Sequence, residues 1–336
     1  MAPRLIAPLS SRKVLYASIA GNLAVAATKF GAAAWTGSSV MLSEAVHSTV
    51  DTGNSILILY GMHRAKRRPN REHPLGYGRE IYFWSFVVAV LVFSLGAGVA
   101  LYEGIAHVLH PQPIQNVMVN YIVIGMSALF DGTTWWIALS NFKGRRAWSA
   151  IIGAIHDSKD PPSFMVIFED SASLIGLAIA FAGTILAVLF DQPMIDAVAS
   201  LLIGLLLAVT ATLLARETKD LLMGEAADPG IVAALLGLAR EMDGIAHANG
   251  IVTVHMGPRQ IVVALSLEFA DELKTPEIEA KVIELERRLR LAFPDVIAVF
   301  VRPQSVEGYT MMIDSRFGPK IKKPGDLPAA NGKTTE

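Results

Sequence analysis

The chain has no cysteine. Disulfides and thiolate metal sites are therefore excluded together, and any bound metal must be held by His, Asp, Glu or backbone oxygen. Charge is scarce as well. Only 18% of the 336 residues are Asp, Glu, Lys or Arg, against about a quarter in a soluble domain. Lys plus Arg number 29 and Asp plus Glu 30, a net charge of −1. No bulk field points to nucleic acid, and none is expected as a partner. The shortage of charge is uneven. Short charged stretches separate long runs that are almost uncharged, as a bilayer core requires, because it excludes charge and needs about 20 consecutive apolar residues per crossing.

Six such runs are present, roughly Val14–Trp35, Val40–Met62, Ile81–Val108, Val117–Phe142, Phe164–Phe190 and Ile195–Leu214. The connections fix their orientation. Arg64, Lys66, Arg67, Arg68, Arg71 and Arg79 follow the second run, and Lys143, Arg145, Arg146 and Lys159 follow the fourth. Arg4, Arg12 and Lys13 precede the first, and Arg216 and Lys219 follow the sixth. The segments TGSS, HPQPIQN and DQPM hold no Lys or Arg. The positive-inside rule then places both termini in the cytoplasm. The opening MAPRLIAPLSSRK has no small-residue cleavage site after its first apolar run, so the first hydrophobic segment reads as a retained helix. This N-terminus fits a bacterial inner membrane.

Beyond Gly224 the texture changes to a helix, strands over Ile251–His255 and Gln260–Phe269, an amphipathic helix over Pro276–Phe293 and a strand over Val296–Arg302. The expected organisation is a transmembrane domain over 1–222, a cytoplasmic α/β domain over 223–305 and a disordered tail over 306–336. The fold class is an integral membrane α-helical protein of six transmembrane helices with a small cytoplasmic αββαβ, ferredoxin-like domain. A domain of that size is near the lower limit for folding alone and suits dimerisation.

Ionisable groups inside a span cost several kcal/mol, on the order of 2.5–3.5 on insertion scales, and mark function. In LSEAVHSTVDTGNS of the second run, Glu44, His47, Asp51 and Asn54 fall at spacings of three, four and three, which is one stripe of a helix. Such a stripe cannot face lipid. His47 and Asp51, at i and i+4, can reach one ion, and imidazole with carboxylate suits zinc. The fifth run holds Asp170, with Glu169 about 100° round the helix and Ser173 on the Asp170 face. Asp131 in the fourth run, Asp196 at the start of the sixth, and Asn22 and Glu103 complete this group. A single buried polar residue also reads as a helix–helix hydrogen bond, the reading favoured for Asn22, Asn54 and Ser173. Asp196 reads equally well as a helix-start residue.

At these residues the chain resembles the cation diffusion facilitators, a family of zinc, iron, cobalt and manganese transporters. The likeness covers about residues 12–305. It rests on LSEAVHSTVDTGNS, on HPLGYGRE with His73, Gly76, Gly78 and Arg79, on IDAVAS at the sixth run, and on the small C-terminal domain. The EDSA segment is similar to the mitochondrial-type zinc transporter branch and its bacterial relatives. The resemblance implies a homodimeric metal/proton antiporter working by alternating access, with four metal ligands from the second and fifth helices. Carried over, His47, Asp51 and Asp170 match. Val166 stands where the family commonly has His or Asp, which leaves Glu169, water or another helix for the fourth place. The cargo implied is Zn2+, with Mn2+, Fe2+ or Co2+ as alternatives, and protons as the exchanged ion. No organic cofactor is expected, nor an enzymatic activity. His247 and His255 are the only histidines of the C-terminal domain, so the family's metal-sensing cluster is expected to be missing. The rival readings are a transport-inactive membrane scaffold and an intramembrane metal-dependent enzyme. The latter lacks HExxH and GxSxG.

Overall fold

The computed structural model describes residues 11–36, 39–109, 117–143 and 158–317. Contacts divide the chain into two compact units, 1–225 with 255–260, and 226–254 with 261–336.

The first unit is built from six long helices among the described residues. They are α1 (Ser11–Thr36), α2 (Ser39–Arg64), α3 (Glu80–Leu109), α4 (Val117–Lys143), α5 (Pro161–Phe190) and α6 (Pro193–Met223). Each of the expected spans lies within one of them. Helices α3 to α6 are long and apolar enough to cross a membrane. The 26 residues each of α1 and α2 extend for about 39 Å at 1.5 Å per residue.

Local chemistry sets the breaks. Helix α5 opens on Pro161 and Pro162, whose missing N–H groups are harmless in a first turn, and the Ser163 hydroxyl donates to Asp160 Oδ2 at 2.6 Å. It ends at Asp191, which turns the chain in the left-handed region at φ 50° before Pro193 starts α6. Within α3 the stretch Val92–Ala97 is π-helical, and the Gly98 amide donates to the Phe93 carbonyl. Gly96 and Gly98 make this departure inexpensive, because glycine contributes little to holding the i→i+4 pattern.

Helix α1 packs on α2, α4 and α5. Helix α2 packs on α3, α3 on α6, and α5 on both α4 and α6. An apolar cluster of Leu15, Ile58, Tyr82, Phe164, Met165 and Leu214 fills the end that carries the basic connections. Trp35, Tyr102, Leu109, Met118 and Leu189 are exposed on the outside of the helices, where hydrocarbon would meet them. Helices α3 and α6 approach most closely. A Cβ on Gly104 would stand 2.9 Å from the Leu201 backbone, and one on Gly204 2.9 Å from that of Leu101. The two glycines make reciprocal antiparallel contacts of the small-residue kind that lets helix backbones touch in lipid.

The second unit has helix α7 (Pro229–Arg240), strands β1 (Ile245–Gly257) and β2 (Gln260–Phe269) apart from their ends at 255–260, helix α8 (Thr275–Ala292), strand β3 (Val296–Pro303) and helix α9 (Val306–Phe317). The sheet order is β1-β2-β3, with β3 parallel to β2 and a register irregularity at Ile261/Val262. Leu235, Val263, Leu265, Leu267, Leu285 and Leu289 make its core.

The expected disordered tail needs correction over its first turns, since Val306–Phe317 is helix α9. Ser305 caps it, its hydroxyl accepting from the Gly308 amide at 3.2 Å and its carbonyl from the Tyr309 amide at 3.0 Å. Tyr309 lies so close over Gly250 of β1 that no Cβ would fit there. The tertiary contact, absent from any local pattern, orders this segment. The rest of the predicted tail, 318–336, lies outside the described residues.

Two outcomes are expected. Gly104→Leu or Gly204→Leu forces α3 and α6 apart and costs about 1–3 kcal/mol or more, lowering the thermal midpoint in detergent. Gly125→Ala, which meets nothing within 4 Å, leaves it unchanged. On the surface of α8, hydrogen bonds from Arg287 and Arg288 hold the Glu284 carboxyl down to about 2. The stability this group contributes is present above its ordinary value of 4.5 and is lost as pH falls towards about 2. Glu284→Gln is therefore expected to lower the midpoint slightly at pH 7, less so in high salt, and not at all near pH 2.

Candidate metal centre

On α2, Ser48, Thr52, Asn54 and Ser55 are buried and Asp51 is half-buried. The hydroxyls of Thr49 and Thr52 donate to the Ala45 and Ser48 carbonyls one turn back, so they are satisfied within their own helix. The helical backbone runs through Glu44 and His47, which sets His47 one turn before Asp51 on the same face. The side chains of Glu44 and His47 lie outside the described residues.

Helices α4 and α5 are joined by two crossed pairs. Thr134 of α4 donates to Oδ2 of Asp170 on α5 at 2.7 Å, and Ser173 of α5 donates to Oδ2 of Asp131 on α4. Each helix supplies a carboxylate and, three residues later, a hydroxyl, and the antiparallel axes bring each carboxylate opposite the other helix's hydroxyl. Asp170 is 5% exposed and Asp131 8%. A third bond runs from Trp135 Nε1 to Ser171 Oγ at 2.8 Å. The Thr134 hydroxyl also lies 2.9 Å from the Asp131 carbonyl. It has one proton for two acceptors. An ionised Asp170 takes that proton as a hydrogen bond. A protonated Asp170 donates its own to Thr134 Oγ1 and leaves Thr134 to bond the carbonyl. Either form of the acid keeps a partner, which matters where water is scarce.

The neighbouring Glu169 has a buried Oε1 with no hydrogen-bond partner, the mark of a group that awaits a ligand or a proton. Asp51 lies within electrostatic range of Asp131, Glu169 and Asp170. The structure thus brings α2, α4 and α5 carboxylates into one field. Among the described residues, no three His, Asp or Glu side chains converge closely enough to share an ion. Helix α2 does not pack broadly on α5 among those residues; α1 touches both. Val166, at the position where the resemblance leads one to look for a fourth ligand, is 1% exposed inside the apolar cluster.

Other sequence candidates fall elsewhere. Asp196 sits in the first turn of α6 and accepts from Thr184 at 3.2 Å. Thr184 is 14 residues beyond Asp170 on α5, about 21 Å along the axis. His73 is exposed and stacked on Tyr77 with ring centres 4.4 Å apart. His255 is buried with Nδ1 3.2 Å from the Gly257 carbonyl, and His247 is exposed. Both stand on β1, eight residues apart, or about 26 Å, too far to share a metal.

Two residues were not singled out by sequence. Thr134 gives no signal by itself, because membrane helices are rich in hydroxyls and only the α4–α5 register makes it the partner of Asp170. Lys29 did carry a signal. It is a cation in the middle of the apolar run LAVAATKFGAAAW and comes within electrostatic range of Asp131.

Thr134→Val keeps the shape of the side chain but removes the donor to Asp170. Were Asp170 to ligate a divalent metal, loss of such an orienting partner would weaken binding by about tenfold or more. Titration of the purified protein with a divalent metal by calorimetry checks this, with the elution volume expected unchanged on size exclusion.

Residues 15–223, more than half of the chain, match the cation efflux transmembrane domain family. Metal tolerance protein C4 of Arabidopsis thaliana is 33% identical over 233 residues, 68% of this chain and 51% of that protein. The mitochondrial proton-coupled zinc antiporter SLC30A9 of Homo sapiens is 28% identical over 249 residues, 74% of this chain and 44% of its own. The manganese efflux system protein MneP of Bacillus subtilis is 22% identical over 305 residues, 87% and 95% of the two chains. The chain spans about half the length of the first two. The matched residues extend across all six helices of the first unit, and so the chain belongs to the cation efflux, or cation diffusion facilitator, family.

Proposed function

We propose that this protein carries a divalent cation, zinc in the first place, across a membrane in exchange for protons by alternating access. The observation that carries the reading is that Glu169, with its buried Oε1, and buried Asp170 lie side by side on α5 within electrostatic range of Asp51 on α2 inside the membrane region. Nothing but a cation or protons can balance such a group in a low dielectric. His47 supplies the nitrogen donor that favours zinc over manganese. The names of relatives, a zinc antiporter and a manganese efflux protein, support a divalent cargo.

In this reading His47, Asp51 and Asp170 hold the ion. Val166 is committed to apolar packing, so Glu169, with its unpartnered Oε1, is the protein group best suited to the fourth place. Coordination requires a neutral imidazole and ionised carboxylates, so an arriving metal displaces protons, and protons from the far side displace the metal. The apolar cluster around Tyr82 and Phe164 closes the end that bears the basic connections. By the charge of those connections that end is cytoplasmic, and opening it would admit the ion. The exposed apolar residues Val252, Ile283, Leu291 and Phe300 of the second unit support pairing of two copies through that unit. The membrane is either a bacterial inner membrane or, by analogy with the mitochondrial relatives, an organellar one. The buried Val166 also suits a transport-inactive scaffold, which the same assay separates.

In proteoliposomes with an imposed pH gradient and a zinc-sensitive dye inside, the wild type is expected to move zinc against the proton flow. Asp51→Ala and Asp170→Ala should each reduce that flux to background while the protein remains folded. Near-normal flux in Asp51→Ala would remove this seat, and no flux in the wild type would leave the scaffold.

A further inference from the structure

Lys29 is the one lysine within the interior of the α1 apolar run. The Cβ of a residue at position 21 would meet Thr134 of α4 at 2.6 Å, and Ala33 packs with Val123. These two contacts fix an antiparallel register between α1 and α4. Interpolation sets Lys29 level with residues 126–127, about 6 Å along the axis from Asp131. A lysine stem spans that distance. The electrostatics agree, since Lys29 is a cation felt by Asp131. Asp131 is in turn held by Ser173 and lies in the field of Asp51 and Asp170.

We infer that Lys29 is the built-in counter-cation of Asp131, and that its fixed charge holds down the affinity of the neighbouring seat for a divalent ion so that the ion can leave. The inference rests on the metal-seat reading above. Without a cation there, Asp131 would add an uncompensated negative charge to the seat's field and bind the metal more tightly than a carrier can use. With Lys29 present, the pair is neutral and the ion answers only to its own ligands. Lys29 is a positioning and affinity-setting residue in this account and touches no metal.

The test is zinc titration of the purified full-length protein in detergent at fixed pH 7, paired with zinc flux in proteoliposomes. Lys29→Met is expected to tighten zinc binding by about tenfold or more, given the range of a unit charge in a protein interior, and to slow flux as release becomes limiting. Asp131→Asn should weaken binding by a similar factor. Lys29→Met/Asp131→Asn, which removes both charges, should return to within about threefold of the wild type. Lys29→Arg, with the charge kept, should bind as the wild type does. A merely structural lesion does not raise affinity. Folded Lys29→Met with unchanged or weaker binding overturns the inference. If Lys29→Met alone fails to fold, the comparison of Asp131→Asn with the double variant decides, and equal affinities there overturn it. Asp51→Ala serves as the separate control. Its failure to lose binding would remove the seat itself, whatever Lys29 does.

Discussion

A carboxylate inside a membrane needs a partner at every moment, and this requirement organises the first unit. Asp131 and Asp170 are both almost fully buried, and each is held by a hydroxyl from the facing helix. The crossed arrangement fixes the register of α4 on α5, because sliding either helix by one residue would break both pairs together. Hydrogen bonds of this kind contribute only about 0.6 kcal/mol on average in membrane helices, with a maximum near 1.7. Their effect here is specificity more than strength. They decide which residues stand opposite one another, while the tight α3–α6 contact at Gly104 and Gly204 and the apolar cluster around Tyr82 supply packing.

Binding and release make opposite demands on such a site. A seat rich in carboxylates binds a divalent ion well and gives it up badly. The geometry around Asp170 answers one side of that conflict. Thr134 can serve the acid in either protonation state, so exchange of a proton for a metal does not leave a stranded group. In the inference drawn above, Lys29 and Asp131 answer the other by keeping one carboxylate out of the ion's field. The proposed seat would then borrow from four helices, α1, α2, α4 and α5, although the ligand candidates come from two.

Much of the fold was legible because the bilayer allows few solutions. The six spans and the change of texture after Gly224 follow from hydropathy and charge, although α5 and α6 each start two or three residues before the expected Phe164 and Ile195, at Pro161 and Pro193. The strands of the second unit could be read from alternation and β-branched residues, although β1 starts earlier, at Ile245. Helix α9 could not be read. It is short and followed by a polar, Pro- and Gly-bearing stretch, and Tyr309 finds its place only against Gly250 in a distant strand.

The sequence by itself determined that this chain crosses a membrane, that its basic connections share one side, that His47 and Asp51 sit one helical turn apart in one apolar run, and that Asp170 lies inside another. Those conclusions depend on local period and on the cost of charge in hydrocarbon, which any stretch of chain carries with it. Tertiary structure decided the rest. That Thr134 serves Asp170, that Asp131 joins the field and Asp196 does not, and that Val166 is apolar core all depend on helix registers. Registers are set by contacts between residues tens to more than a hundred positions apart, and no single helix contains that information.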